Sequence, residues 1–498
     1  MSYMRFCVMD VGQGSANYIE LREDDNSLTA AAIVDIGSEQ WKTAAGKPSA
    51  EWIADQLQTM TDGAELDTVI LSHSDSDHVN LIPSLLQYFD TPSTKNPDLP
   101  VLTVQQIIFG GDYAKYKKGR SENFLKQLVA YHPTYDDDIL IELGDDYSSF
   151  DPAKKDWKPL AKIGGKIELW ALSANTTAEK IPASAYRKRK RPALPDGGFA
   201  TNTRSIVIAA IFGGKTIIAT GDATGLTLAH CNEKLALQTV RDKLGVVYMV
   251  TLPHHGSDTT TYDLTGSSGG SDAAKEVVTK FNDWTRANTI SGSAGERKTF
   301  RHPSANVIVD FGKFMLGAPE FIDPALTKTK QHFYTSYFFN RTLTVKPVGK
   351  KVPFSSKWPL FDWWYTARAT KNVFTTDYDS EFPGAEIPTA YPWSSDDDGL
   401  NKFAPTPPRA ISWGFRVNQN GTTSISVVRE RDEAHAQYWA AAEAVHGPLP
   451  PRGFVVVESA PLPGDDDPEP PPEPLAAPEP PRPGPPPPRP PSRLRQLP

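Results

Sequence analysis

A chain of 498 residues exceeds one ordinary domain and has room for two or three. Its 39% hydrophobic and 10% aromatic content allows a substantial core over most of that length. A net charge of −8 excludes a broadly basic nucleic-acid binder, though not a local basic groove.

Two cysteines, Cys7 and Cys231, are too few for a disulfide framework or a thiolate zinc site, and both sit in apolar stretches that suit buried free thiols. The opening MSYMRFCVMDVGQG is interrupted by Asp10 and by glycines before any apolar core of signal-peptide length forms. No apolar run approaches the roughly 18 residues of a membrane helix. A cytoplasmic protein without membrane association is expected.

Strands are predicted over MRFCVMD, SANYIEL and TAAAIVDIG, the first two joined by a tight glycine turn at VGQG. A helix follows over 50–60, where Trp52, Ile53, Leu57 and Met60 share a face. Next come a strand at 68–71, a His/Asp loop and a helix over 79–89. A strand at 105–109 and a helix at 122–131 continue the alternation, and 133–162 is acidic and irregular. After a strand at 166–172, a polar insertion over 174–200 carries YRKRKRP. The strands 205–212 and 215–220 make a hairpin across Gly213-Gly214 and lead to Gly221-Asp222. A helix over 225–244, a strand at 246–252 and HHGS follow. A helix at 272–284, a strand at 288–290 and a helix from near Ser304 close this part. Strands alternating with helices, but interrupted by hairpins, predict a mixed-sheet α/β domain over 1–345.

From 346 the character changes. KWPLFDWWYTAR and later tryptophans mark an aromatic-rich accessory region over 346–445, with a hairpin predicted on the Asn420-Gly421 turn. Proline then dominates 446–498: it fills 18 of the 38 positions from Pro461, too many for a packed fold, so a disordered tail is expected. Its PxxP stretches and the aromatic region are the candidate contacts for protein partners.

The chemistry concentrates at LSHSDSDHVN, residues 71–80, where His73, Asp75, Asp77 and His78 fall within six positions of one another directly after a strand. Divalent metals of intermediate hardness take imidazole nitrogens and carboxylate oxygens held on short loops at strand ends. One loop cannot easily bring all four to a single ion, but it can divide them between two. Asp222, His254 and His255 also follow β-like runs, and His302 stands in a similar RHP.

In this arrangement the sequence resembles the metallo-β-lactamase-fold hydrolases, and among them the branch typified by the hydrolase domain of the DNA-uptake protein ComEC. The resemblance rests on six elements in order: DVGQG at 10–14, DIG at 35–37, SHSDSDH at 72–78, Asn202 to Ser205 leading to TGD at 220–222, PHHGS at 253–257, and His302-Pro303. It spans 4–312 and implies an αββα sandwich of two mixed sheets with the site at one edge. It further implies that His73 and Asp75 serve one metal subsite, Asp77 and His78 the other, with Asp222 bridging. Which histidine of the adjacent pair ligates is open; His255 is favoured, with His254 facing the substrate or leaving group. Asp10 and Asp35 are expected to fix the loops and orient ligand imidazoles, although a turn-capping role suits Asp10 equally.

Two departures from the superfamily pattern stand out. Asp75 puts a hard oxygen where a nitrogen is usual, which moves preference from zinc toward manganese or magnesium. The histidine usual between the metal loop and the bridging aspartate has only His132 as a candidate, a weak one, so a subsite is short of a ligand. One or two divalent ions are therefore expected. The implied activity is that of a metal-dependent hydrolase, a phosphodiesterase or nuclease acting through metal-activated hydroxide held near Asp77, with the leaving-group proton from His254, His302 or solvent; a plain role at a helix start beside Pro303 suits His302 equally. Arg187, Lys188, Arg189, Lys190 and Arg191 are the candidate contacts for a phosphodiester or nucleic-acid backbone. An ester or lactone hydrolase competes with this reading, as does a partner-gated effector or adaptor subunit of a multi-protein system such as anti-phage defence.

Overall fold

The computed structural model describes residues 2–39, 46–93, 98–116, 123–134, 137–154, 156–185, 192–266, 271–293, 307, 310–311 and 410–431, and the backbone of strands at 333–335, 339–347, 357–361 and 454–456. The expected basic contacts 187–191, His302, most of the aromatic-rich region and most of the proline-rich tail lie outside them; at 454–456 the tail expected to be disordered instead forms a strand, Phe454–Val456, paired antiparallel with Phe339–Pro347.

Alternation along the first strands sets the architecture. In Ser2–Val8, Met4, Phe6 and Val8 point one way and Cys7 the other. The same two-residue period divides Ala30, Ala32 and Val34 from Ala31 and Ile33 in Leu28–Ile36. A sheet apolar on both faces needs cover on both. One face receives the helices Lys47–Gln58, Ile82–Leu86 and Phe124–Val129 through Ile53, Leu57, Leu85 and Leu128. The other packs on a second sheet through Leu169, Ile208, Ala210, Ile217 and Met249. On the far side of that second sheet, helices Gly225–Leu235 and Asp272–Thr285 pack together. The result is an αββα sandwich of two mixed sheets.

The first sheet has eight strands in the order Thr423–Arg431, Ala410–Asn418, Ser2–Val8, Ala16–Glu23, Leu28–Ile36, Thr68–Leu71, Ile107–Phe109 and Leu140–Glu142. Pairing is antiparallel as far as Leu28–Ile36 and parallel beyond it. The second has seven: Phe333–Thr335, Thr289–Gly292, Val246–Thr251, Lys215–Ala219, Val207–Phe212, Ile167–Ser173 and Ala161–Ile163.

The hairpin at Asn420-Gly421 forms, with Gly421 at φ 80°, but its place is unlike that of an accessory element. Ala410–Asn418 pairs with Ser2–Val8, and Trp413, Phe415 and Val417 enter the core between the sheets. Composition could not show this, because strand pairing across some 400 residues leaves no local trace.

Other differences are local. The helix predicted over 79–89 is two short ones, Ser76–Val79 and Ile82–Leu86, with Pro83 in the first turn of the second. The helix over 225–244 divides into Gly225–Leu235 and Gln238–Leu244. The acidic stretch after 133 hides two three-residue strands, Leu140–Glu142 and Ala161–Ile163, too short to show a period. Both cysteines are buried free thiols, and burial raises their pKa values.

Candidate metal centre

The parallel strands bring three chain segments to one edge of the sandwich. His73 and Asp75 follow the end of Thr68–Leu71, and Asp77 and His78 lie in the short helix after them. Asp222 follows Lys215–Ala219 and the adjacent histidines follow Val246–Thr251, both in the second sheet. Thr220 and Thr251 clasp the latter two through the Thr220 amide on the Thr251 hydroxyl (2.9 Å) and the Thr220 hydroxyl on the Thr251 carbonyl (3.0 Å). The His254 amide donates to Gly221 O at 2.9 Å. Across the sheets, the Ile206 amide donates to Ser72 O at 3.1 Å.

The glycine turn of DVGQG is a pedestal for the metal loop. Ser15 N donates to Asp77 O and Gly37 N to Ser15 O, each at 2.9 Å. A Cβ on Gly37 would stand 2.3 Å from the Asp77 carbonyl carbon, so only glycine lets the loop lie this close.

Each imidazole is held by Nδ1. Asp35, at φ 58°, accepts the Ser72 amide (2.7 Å) and Ser72 hydroxyl (2.7 Å) and meets His78 Nδ1 at 2.9 Å. Because the Ser72 hydroxyl spends its proton on Asp35, it accepts from His73 Nδ1 at 3.0 Å. His255 Nδ1 donates to the Ser293 carbonyl at 2.7 Å, and the Ser293 hydroxyl donates to Gly14 O at 2.7 Å. His254 Nδ1 lies 3.0 Å from the Asn202 side chain. In the orientation that satisfies both ends of that amide, its oxygen accepts from His254 and its NH₂ donates to Gly198 O (3.1 Å) and Asp75 Oδ2 (3.2 Å).

With the Nδ1 atoms engaged, the Nε2 atoms converge on Asp222. Its Oδ1 lies 3.0 Å from His78 Nε2 and 3.5 Å from His255 Nε2, and its Oδ2 lies 3.7 Å from His73 Nε2 and 3.6 Å from His254 Nε2. His255 Nε2 is also 3.5 Å from Asp77 Oδ2, and His73 Nε2 is 3.6 Å from Asp75 Oδ2. The Nε2 atoms of His73, His78 and His255 and the Oδ1 of Asp222 are buried with no aligned hydrogen bond.

The charges of the site ask for a cation. Burial pushes Asp77 up, yet the adjacent His255, 3.5 Å away, and the charge of His78 bring it down to about 2. Burial also opposes ionisation of Asp222, but His254, His78 and His255 hold it well below the usual carboxylate range. Burial works against charge on His78 and His255, and the carboxylates outweigh it and raise both, whereas at His254 burial prevails and lowers the pKa. Buried carboxylates that stay ionised need a counter-charge. Orphaned imidazole nitrogens facing carboxylate oxygens are the donor set that a divalent metal accepts, so these residues fit the ions implied by the sequence. Two groups gather within 4.8 Å: His73, His78 and Asp222, and Asp77, His78 and His255.

The remaining expectations fall elsewhere. Asp10 Oδ1 accepts from the Gly12 amide at 3.2 Å, its carbonyl accepts from Ser49, and its amide donates to Ser412 at 2.9 Å, so it caps the turn and ties in the late hairpin. His132 pairs its Nδ1 with the Thr134 hydroxyl at 3.0 Å on the surface. Asn202, Ser72 and Ser205, whose hydroxyl is 3.3 Å from His73 Nδ1, stood in quoted motifs without a role assigned. Ser293 had no sequence signal, since it acts on His255 through a carbonyl that every residue carries.

No protein-family model matches the chain, nor does any curated protein. Among the solved structures similar to part of it are a mutant of CmlA beta-hydroxylase and a long form RNase Z from yeast, each with a TM-score of 0.29. The first is 13% identical over 62% of this chain and 49% of that one; the second is 11% identical over 59% and 37%. The chain thus spans under half the length of either, and at that TM-score neither likeness bears on the reading of the site. No helix among the described residues is long and apolar enough to cross a membrane.

Proposed function

We propose that the chain is a metal-dependent phosphodiesterase or nuclease that works on one or two divalent ions at Asp222. One observation carries this: three buried imidazole Nε2 atoms and a carboxylate oxygen face one another unpaired, while every Nδ1 is already held. When bound, a divalent pair supplies an acidified water and positive charge opposite a phosphoryl centre.

The chain's own groups position and shield. Asp77 and Asp222 stay ionised through the working range. Asp35, Ser72 and Ser293 fix the ligand imidazoles, as outer partners do in metal sites. His73 and His78, with side chains fully buried, close the back of the site against water, and the open side lies at Asp75 (40% exposed) and His254 (20%). A phosphodiester enters there.

Three features favour a phosphodiester over a carboxylic ester. The carboxylate-rich donor set suits manganese or magnesium. The motif order resembles the ComEC branch. The run 187–191 leads into a segment anchored on the site: Pro195 and Phe199 pack on Gly266, and Asn202 touches His254. Purified full chain with Mn²⁺ and bis-p-nitrophenyl phosphate is the test. Turnover that needs both the metal and Asp222 is expected. A folded, metal-binding protein that ignores phosphodiesters but hydrolyses an ester or lactone overturns the proposal.

A further inference from the structure

We propose that the late hairpin is a clamp on the metal loop, in which Ser412 and Arg429 are positioning residues that act through Asp10. The proposal rests on the metal-dependent reading above and gives the stretch 410–431 a part in it.

The clamp starts from a break in strand register. Between Ala410–Asn418 and Thr423–Arg431, Trp413 faces Val427 but the next pair is Ser412 and Arg429, so Val428 is an extra residue. Regular pairing would set Val428 opposite Ser412 and turn Arg429 to the face of Trp413, which lies in the core between the sheets. The bulge re-aims it. Arg429 stands beside Ser412 on the other face, where Val428 packs against the apolar cluster under Lys47–Gln58.

There both residues hold Asp10. Its amide donates to the Ser412 hydroxyl at 2.9 Å. Ser49, in the first turn of Lys47–Gln58, donates its one hydroxyl proton to the Asp10 carbonyl and so accepts from Arg429 Nη1 at 2.8 Å. The hairpin therefore grips both backbone groups of Asp10, one directly and one through Ser49.

The turn that follows has no slack. The Val11 carbonyl accepts from the Ser38 hydroxyl (2.5 Å), that of Gln13 from the Glu39 amide (2.6 Å) and that of Gly14 from the Ser293 hydroxyl (2.7 Å). A Cβ on Gly14 would stand 2.5 Å from the Gly37 carbonyl oxygen and 2.9 Å from that of Asp77. Two of the contacts end on the metal centre: Ser15 N holds the Asp77 carbonyl, and Ser293 turns its own carbonyl to His255. Close-packed groups transmit displacement, so a shift of Asp10 moves the pedestal under Asp77 and the support behind His255 together. Trp413, Phe415 and Val417 anchor the hairpin in the core, which leaves anchoring and positioning on opposite faces of one strand.

The test separates those faces. Full-length protein is titrated with Mn²⁺ by calorimetry, loaded with Co²⁺ for its visible spectrum, which reports ligand geometry, and unfolded in urea. Ser412→Ala and Arg429→Gln are each expected to weaken Mn²⁺ binding roughly 10-fold, the lower end of what direct partners of a ligand command, and to alter the Co²⁺ spectrum. Ser412→Thr and Arg429→Lys, which keep the hydroxyl and a cationic donor, should restore both. Val417→Ala hollows the opposite face; it should lower the urea midpoint and leave affinity and spectrum as in wild type. Arg429 is only half-buried, so Arg429→Gln reads the same clamp if Ser412→Ala, at a buried site, fails to fold. The proposal is overturned if Arg429→Gln and the folded Ser412 variants bind Mn²⁺ as wild type does, or if Val417→Ala weakens binding as much as they do. Metal binding by wild type without phosphodiester turnover, weakened in Arg429→Gln, would fell the proposed activity and leave the clamp standing. Turnover by wild type, with binding unchanged in the hairpin variants, would do the reverse.

Discussion

The two sides of the Asp222 carboxylate are built to different standards. On one side Asp77 sits on the Gly37 backbone, His78 on buried Asp35 and His255 on the Ser293 carbonyl, with side-chain exposures of 15%, 0% and 3%. On the other, only His73 is so enclosed; Asp75 and His254 are 40% and 20% exposed and share one amide, that of Asn202, at the end of the short helix Gly198–Asn202. A preorganised side holds its ion without ordering any group on binding, while an open side gives substrate access. The closed side should therefore bind first and more tightly.

The largest effect is expected where the sides meet. Asp222→Asn removes charge from both and should cut Mn²⁺ affinity by more than the roughly 100-fold commanded by outer partners, with phosphodiester turnover at background. An unchanged ion count would break the description of a shared carboxylate. Next, Asp35→Asn keeps the left-handed backbone but loses charge behind His78. Calorimetry should show the tighter ion weakened about 10- to 100-fold and the weaker one little altered. Gly37→Ala drives a Cβ into Asp77 and should cost about 1–3 kcal/mol in urea unfolding, as overpacking does. Asn202→Ala, on the open side, should leave the unfolding midpoint nearly unmoved.

His230 gives a control outside both sides. It is buried in Gly225–Leu235 with Nδ1 2.9 Å from the Ser173 hydroxyl, and burial, with Lys180 and Lys234, presses its pKa down to about 4. The unfolded chain takes up a proton near pH 6.5 that the native state refuses until about pH 4. Its contribution is full above about pH 6.5 and shrinks as pH falls through that window, by on the order of 3 kcal/mol at most. His230→Gln should flatten this slope in urea unfolding and leave Mn²⁺ binding unchanged.

Much of this was legible in the chain. Strand alternation, the glycine turns and the placing of His73, Asp75, Asp77, His78, Asp222 and His255 after strands are local facts, written in periods of two and in neighbouring residues. Motif order carried the αββα expectation. Three things were not legible. The late hairpin reads as an accessory element until Ala410–Asn418 is seen beside Ser2–Val8. The partners of the imidazoles include Ser293, a carbonyl without chemical signature. The roles of the adjacent histidines depend on two consecutive left-handed residues.

The sequence by itself determined which donors exist and that they follow strands, because side-chain chemistry and strand period are properties of neighbouring residues. Only the tertiary structure decided which oxygen of Asp222 each imidazole meets and which amide holds it. Those distances are set by two sheets packing across a common core, and no stretch of chain contains both of them.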